Sequence, residues 1–328
     1  MKNKYRNIFL AFGIVAVIIM MFSFDMEYDE LWDNLKRAGI YLPYILALWA
    51  FIYMLNALAW YEIIRDGEKQ YVPFLKIYKL TISGFALNYV TPVGLLGGEP
   101  YRIMELKPYI GVERATSSVL LHVMMHIFSH FCFWLSAIIL YVSFYSISWT
   151  MGIILSIVSV VCILAVLLFI KGYKHGMAVA FVRLGGHIPF LKRRAIAFAD
   201  KYKDQLRTID EQIALLHQQR KRTFYGALLL EYIARVVSCL EVWLILNILT
   251  TDVSFLNCIL IVAFSSLFAN MLFFMPMQLG GREGGFALAV SNLSISGAYG
   301  VYTALITRVR ELFWIVIGLV LMKIGNKK

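Results

Sequence analysis

The chain is 328 residues long, 60% hydrophobic and only 16% charged, with a mean hydropathy of +0.72. Such a composition excludes an ordinary soluble domain. The formal charge of +11 does not point to nucleic acid: residues 171–222 alone hold twelve Lys/Arg against four Asp/Glu, and no recognition motif accompanies them.

In chain order, Lys2, Lys4 and Arg6 precede an apolar run from Ile8 to Phe24 with no small-x-small cleavage site, which predicts an uncleaved signal anchor and a first span over 7–24. Further spans are expected at 43–64, 118–144, 149–170, 223–249 and 300–323. Two other apolar segments, 77–110 and 254–298, are interrupted at Pro92 and Pro276. Within 171–222, Ile196, Tyr202, Leu206, Ile209, Ile213 and Leu216 predict an amphipathic helix over 191–219, lying on an anionic lipid surface. Cys132, Cys162, Cys239 and Cys258 all fall in apolar runs without a CxxC pair, and read as buried hydrophobes.

Charge sets the orientation. Lys2, Lys4 and Arg6 place the N-terminus in the cytoplasm, and the loop bearing Asp25, Glu27, Asp29, Glu30 and Asp33 faces outward. The basic 171–222 loop and Lys323, Lys327 and Lys328 are again cytoplasmic. Segment 77–110 must then enter and leave from the cytoplasmic side, and 254–298 from the external side. The expected fold is an all-α polytopic membrane protein with about six full transmembrane helices and two re-entrant broken-helix hairpins in an inverted repeat. The first repeat is 1–148 with hairpin 77–110; the second is 149–328 with the basic loop 171–222 and hairpin 254–298. An ordinary span over 254–275, followed by a short crossing over 284–298, is the simpler alternative.

The two breaks share a motif. Thr91-Pro92-Val93-Gly94-Leu95-Leu96-Gly97-Gly98-Glu99 and Met275-Pro276-Met277-Gln278-Leu279-Gly280-Gly281-Arg282-Glu283 each place a proline seven residues ahead of a glutamate, with a glycine pair between. Helix breakers and carboxylates are costly in hydrocarbon, so their repetition marks a functional site. Gly97-Gly98-Glu99-Pro100 reads as a helix start that aims unpaired N–H groups inward, as an anion cradle, and Gly280-Gly281-Arg282-Glu283 as a second.

Asn88, Pro92, Gly94, Gly97, Gly98, Glu99 and Arg102, with Pro276, Gly280, Gly281 and Glu283, resemble the lysylphosphatidylglycerol synthase transmembrane (flippase-like domain) family over essentially the whole chain. The resemblance implies a multi-pass protein of the bacterial inner membrane that moves lipids between leaflets. The aminoacyl transfer of bifunctional members belongs to a separate soluble domain, which is not expected here, so the chain is not expected to be an enzyme. Span 118–144 departs from the family pattern: His122, His126 and His130 stand at i, i+4 and i+8 on one helical face. They are candidates for a polar relay with Glu231 and Arg235, or for plain interhelical hydrogen bonding. Glu231 and Arg235 could also simply pair with each other at i, i+4. Arg308 and Arg310 lie 200° apart on a helical wheel, so one of them at most is expected to look into a shared cavity.

Phosphate is thus expected at the half-helix starts, at Arg102 and at one of Arg308 or Arg310; Glu99 and Glu283 take a head-group amine or a proton. The expected partner is a membrane phospholipid, with neither cofactor nor metal and, without a P-loop, no ATP drive. Two other classes are weighed against the translocator: an intramembrane metal-dependent enzyme using Glu99, His126 and His130, and a scaffold that docks a soluble lipid-modifying enzyme on loop 171–222.

Overall fold

The computed structural model describes residues 41–65, 72–90, 97–175, 221–250, 253–271, 281–293 and 295–323, together with 36, 39, 208, 210 and 211. The expected span 7–24, nearly all of the surface helix 191–219, and Pro92, Pro276 and Gly280 lie outside the described residues. The described secondary structure is helical, without strand: α1 (Tyr41–Arg65), α2 (Phe74–Val90), α3 (Gly98–Ile110), α4 (Val112–Phe144), α5 (Trp149–His175), α6 (Lys221–Leu249), α7 (Phe255–Met271), α8 (Gly281–Ser291) and α9 (Gly297–Lys323).

Among the described residues, three helices are long and apolar enough to cross a membrane: Tyr41–Arg65, Val112–Phe144 and Trp149–Ile170. Helices α6 and α9, at 29 and 27 residues, have the length but carry three charged residues each away from their ends, Glu231, Arg235 and Glu241, and Arg308, Arg310 and Glu311. Helix α4 starts at Val112, six residues before the expected span, because the chain turns sharply at Gly111. There φ is +80°, a value that favours glycine, and the Gly111 N–H closes α3 on the Lys107 carbonyl at 3.0 Å. Arg114 reaches back to cap α1, its Nη2 donating to the Ile64 carbonyl at 2.9 Å. Among the described residues helix α5 packs chiefly on α4; 6% of its span is buried, and Ile153, Ile157, Val160, Leu164 and Leu168 are exposed. Such a stripe suits hydrocarbon, not water.

Helices α1 and α6 form the centre and run antiparallel. Ile45 packs with Ile245, Ile52 and Leu55 with Ala234, and Ala59 and Ile63 with Phe224 and Ala227. Around this pair, α1 packs on α2, α2 on α3, α3 on α4 and α4 on α1; likewise α6 packs on α7, α7 on α8, α8 on α9 and α9 on α6. The two groups interlock as α2 meets α9 and α7 meets α4, and as α6 meets α4 and α1 meets α9. Exchanging α1–α4 with α6–α9 returns the same set of packed pairs. Helix starts 41, 74, 98 and 112 recur at 221, 255, 281 and 297, offsets of 180, 181, 183 and 185 residues; Glu99 and Glu283 are 184 apart.

Backbones approach closely where glycine permits. A Cβ on Gly300 would lie 2.6 Å from the Phe286 carbonyl and 2.7 Å from Ala287 Cα, so α8 and α9 meet main chain to main chain there. Gly300→Val is therefore expected to destabilise the fold by about 1–3 kcal/mol through overpacking, read as a lower melting temperature in detergent. Gly226→Ala, where an added Cβ meets nothing within 4 Å, is the matched control and should leave it unchanged.

Candidate functional site

The start of α3 is built around Asn88 and Arg102. Asn88, near the end of α2, accepts the Gly98 N–H at its Oδ1 (2.8 Å) and donates from Nδ2 to Glu99 Oε1 (2.9 Å). It thereby caps α3 from outside the helix, since Gly97 at the cap position has no side chain to do so. Arg102 Nη1 lies 3.4 Å from Glu99 Oε1, while Nε and Nη2 donate to the Leu80 and Thr81 carbonyls at 3.4 and 3.2 Å. Gly84 makes this possible: a Cβ there would overlap Arg102 Nε. The guanidinium also lies 5.4 Å from the Trp60 ring and 5.0 Å from the Phe85 ring. Glu99 Oε2 is left buried with no hydrogen-bond partner. At the other end of the hairpin, Lys76 and Glu105 pair at 2.7 Å and hold α2 to α3.

A second carboxylate sits on α6. Glu231 is buried; its Oε2 accepts from Asn56 Nδ2 at 3.0 Å and is 2.8 Å from His126 Nδ1. His122 Nδ1 stands 3.5 Å from Oε1, and its ring stacks on Trp60 at 5.4 Å. His126 is 31% exposed and contacts both Phe85 and His130, so this cluster has an open end. Of the two alternatives for Glu231 and Arg235, the i, i+4 pair does not form: Glu231 Oε2 is engaged from α1 and α4, while Arg235 donates from Nε and Nη2 to Ser129 Oγ at 3.4 Å. Neighbouring helices present better-placed partners than the helix's own next turn.

A third cluster joins α8, α9 and α6. Arg310 forms a two-pronged pair with Glu241, Nε to Oε1 and Nη2 to Oε2, both 2.9 Å. Trp49 Nε1 donates to Glu241 Oε2 at 2.9 Å, and its ring lies 3.7 Å from the Arg310 guanidinium carbon. Glu311 Oε1 pairs with Arg282, from the first turn of α8, and Glu311 Oε2 is 3.5 Å from Arg308 Nη1. Arg310 Nη1 lies 3.7 Å from Glu311 Oε1. Arg308 and Arg310 both come within 4 Å of Glu311, although the shorter contacts of Arg310 are those to Glu241.

An aromatic bridge links the clusters. Phe85, beside Arg102, packs on Tyr53 at 5.4 Å; Tyr53 packs on Trp49 at 5.6 Å, and Trp49 lies under Arg310. Trp314 closes on Tyr53 from α9 at 5.1 Å. The Arg102 cluster and the Arg310 cluster thus connect through Tyr53 of α1.

Of the residues singled out in the sequence, Asn88, Gly97, Gly98, Glu99 and Arg102 meet in one cluster, His122, His126 and Glu231 in a second, and Arg308 and Arg310 in a third. Gly281 begins α8, and Glu283 is in its first turns, its side chain outside the described residues. Asn56, Trp49, Gly84, Glu241 and Arg282 went unassigned in the motif reading. Asn56, an amide within an apolar span, was the visible signal for a buried acceptor on another helix. Among the described residues, no group of three His, Cys, Asp or Glu is placed to hold a metal ion.

A family model described as the lysylphosphatidylglycerol synthase TM region matches residues 8–319. No curated protein and no solved structure matches. The chain belongs to that family, and is a membrane protein linked to lipid metabolism.

Proposed function

We propose that this family member moves a phospholipid or a related amphipathic lipid between the leaflets of the bacterial cytoplasmic membrane, with both termini in the cytoplasm. The observation that carries this reading is the exchange pattern of the packing. Two four-helix groups, α1–α4 and α6–α9, mate about the antiparallel α1–α6 pair. Antiparallel central mates are what an inverted repeat requires, and rocking one such unit against the other is a recurrent route to alternating access.

The broken segments fit re-entrant hairpins. Helices α3 and α8, at 13 and 11 residues, reach about 20 and 17 Å, short of a hydrocarbon core of about 30 Å. Within this scheme Arg102 does not contact lipid. Its donors face the Leu80 and Thr81 carbonyls and Glu99, so it holds Glu99 in place. Glu99 Oε2, buried and unpartnered, is the acceptor offered to a head-group amine or a proton. The acyl chains stay in lipid along the outer helix faces.

Glu99→Gln and Glu283→Gln are each expected to slow leaflet exchange of a labelled phospholipid in proteoliposomes by at least about tenfold, the equivalent of one charge-assisted hydrogen bond. Both variants should still elute as folded protein. Exchange at the parent rate in both discards the carboxylate role.

A further inference from the structure

We propose that His126, held by Glu231, is a proton-binding site whose proton is exchanged for the cationic end of a lipid head group; this rests on the translocator reading and supplies its coupling ion. Of His122, His126 and Glu231, only His126 has an open end, at 31% exposure; the other two are buried. Its Nδ1 lies 2.8 Å from Glu231 Oε2, which leaves Nε2 as the ring nitrogen that can exchange a proton. Loading takes up one proton. Nε2 receives it from water, the neutral imidazole becomes imidazolium, and Nδ1–H donates to the carboxylate throughout. Glu231 keeps acceptor capacity for that cation, because Oε1 is buried without a hydrogen-bond partner, 3.5 Å from the equally unpartnered His122 Nδ1. A contact that only joined α4 to α6 would gain nothing from an exposed imidazole.

Charged and polar groups reach this pair from several helices. Helix α1 presents Asn56 and Trp60, α2 presents Phe85, and α3 presents Arg102 with its partner Glu99. Helix α4 adds His122 and His130, and α6 adds Arg235. Residues 149–170 of α5 and 255–271 of α7 hold no charged side chain, only the thiols Cys162 and Cys258. Arg308, Arg310 and Glu311 of α9 lie in the separate Glu241 cluster.

Coupling to Glu99 runs through shared aromatic walls. Phe85 lies 5.7 Å from the His126 ring and 5.0 Å from the Arg102 guanidinium. Trp60 stacks on His122 at 5.4 Å and lies 5.4 Å from the same guanidinium. Arg102 is attracted by both Glu99 and Glu231. A proton on His126 offsets the charge of Glu231, so the pull of Arg102 falls on Glu99, and an ammonium at Glu99 is disfavoured. Loss of the proton restores the ammonium site. One proton and one cationic head group therefore exclude each other, which lets a proton gradient drive the lipid.

Adding soluble dihexanoyl-phosphatidylethanolamine to the full chain in detergent and weak buffer tests this without requiring transport. Binding should release protons to a pH indicator, whereas dihexanoyl-phosphatidylglycerol, which has no amine, should release none. By reciprocity, affinity for the ethanolamine lipid should fall about tenfold between about pH 8 and pH 5. In histidine-labelled protein, the imidazole resonance that disappears in His126→Gln should move from its protonated to its neutral position as the lipid is added. Glu231→Gln, which keeps the shape but not the charge, should reduce the proton release by about tenfold. No release from the parent, equal release with both lipids, a His126 resonance that ignores the lipid, or full release in Glu231→Gln overturns the site. Leaflet exchange intact without proton release strikes this inference alone, whereas proton release without leaflet exchange in the parent strikes the translocator reading.

Discussion

Arg310→Ala is expected to destabilise the folded protein by about 3–5 kcal/mol, because it leaves Glu241 buried with two of its three described hydrogen bonds gone. Glu241 is itself buried, and would retain only the Trp49 indole as a donor. Trp49 would also lose the guanidinium that stacks on it at 3.7 Å. The loss should appear as a large fall in the melting temperature of the detergent-solubilised protein. The double variant Arg310→Met, Glu241→Leu removes both charges and fills similar volume, and should recover most of the stability, as buried pairs replaced by apolar groups often do. A double variant no more stable than Arg310→Ala would show that Arg310 matters through Glu311 and not through Glu241.

The helix pattern was legible because two simple signals agree along the chain. Apolar runs long enough to span gave α1, α4 and α5, and the breaks at Gly97-Gly98 and Gly280-Gly281 gave the starts of α3 and α8 to within a residue. The near-constant offset between the two sets of helices was present in the spacing of Glu99 and Glu283 before any contact was known. What sequence could not supply was the partner of each charge. Glu231 and Arg235 are neighbours on one helix face, yet Asn56, 175 positions away, and His126, 105 positions away, take the carboxylate. Arg282 lies inside the repeated motif but is unmatched in its first copy, where Gly98 occupies the equivalent place, so comparison of the two motifs passed over it. Gly84 carries no periodic signal at all. Its importance comes from an arginine on another helix that needs the space a side chain would fill.

Gly84→Ala is, for that reason, expected to abolish leaflet exchange while removing no functional group. The added methyl would overlap Arg102 Nε, and the guanidinium has no room to retreat between the Leu80 and Thr81 carbonyls, Trp60 and Phe85. It must leave the pocket. Glu99 then loses its ion-pair partner, and the Asn88–Gly98 contact that fixes the start of α3 is strained, for a stability cost of about 1–3 kcal/mol. Steric and chemical effects separate on a second substitution. Arg102→Met in the Gly84→Ala background relieves the overlap and should restore the melting temperature toward the parent. Exchange should stay lost, because Glu99 still lacks its positioning cation. Recovery of exchange together with stability would show that Gly84 and Arg102 serve packing alone, and that the Glu99 carboxylate acts without them.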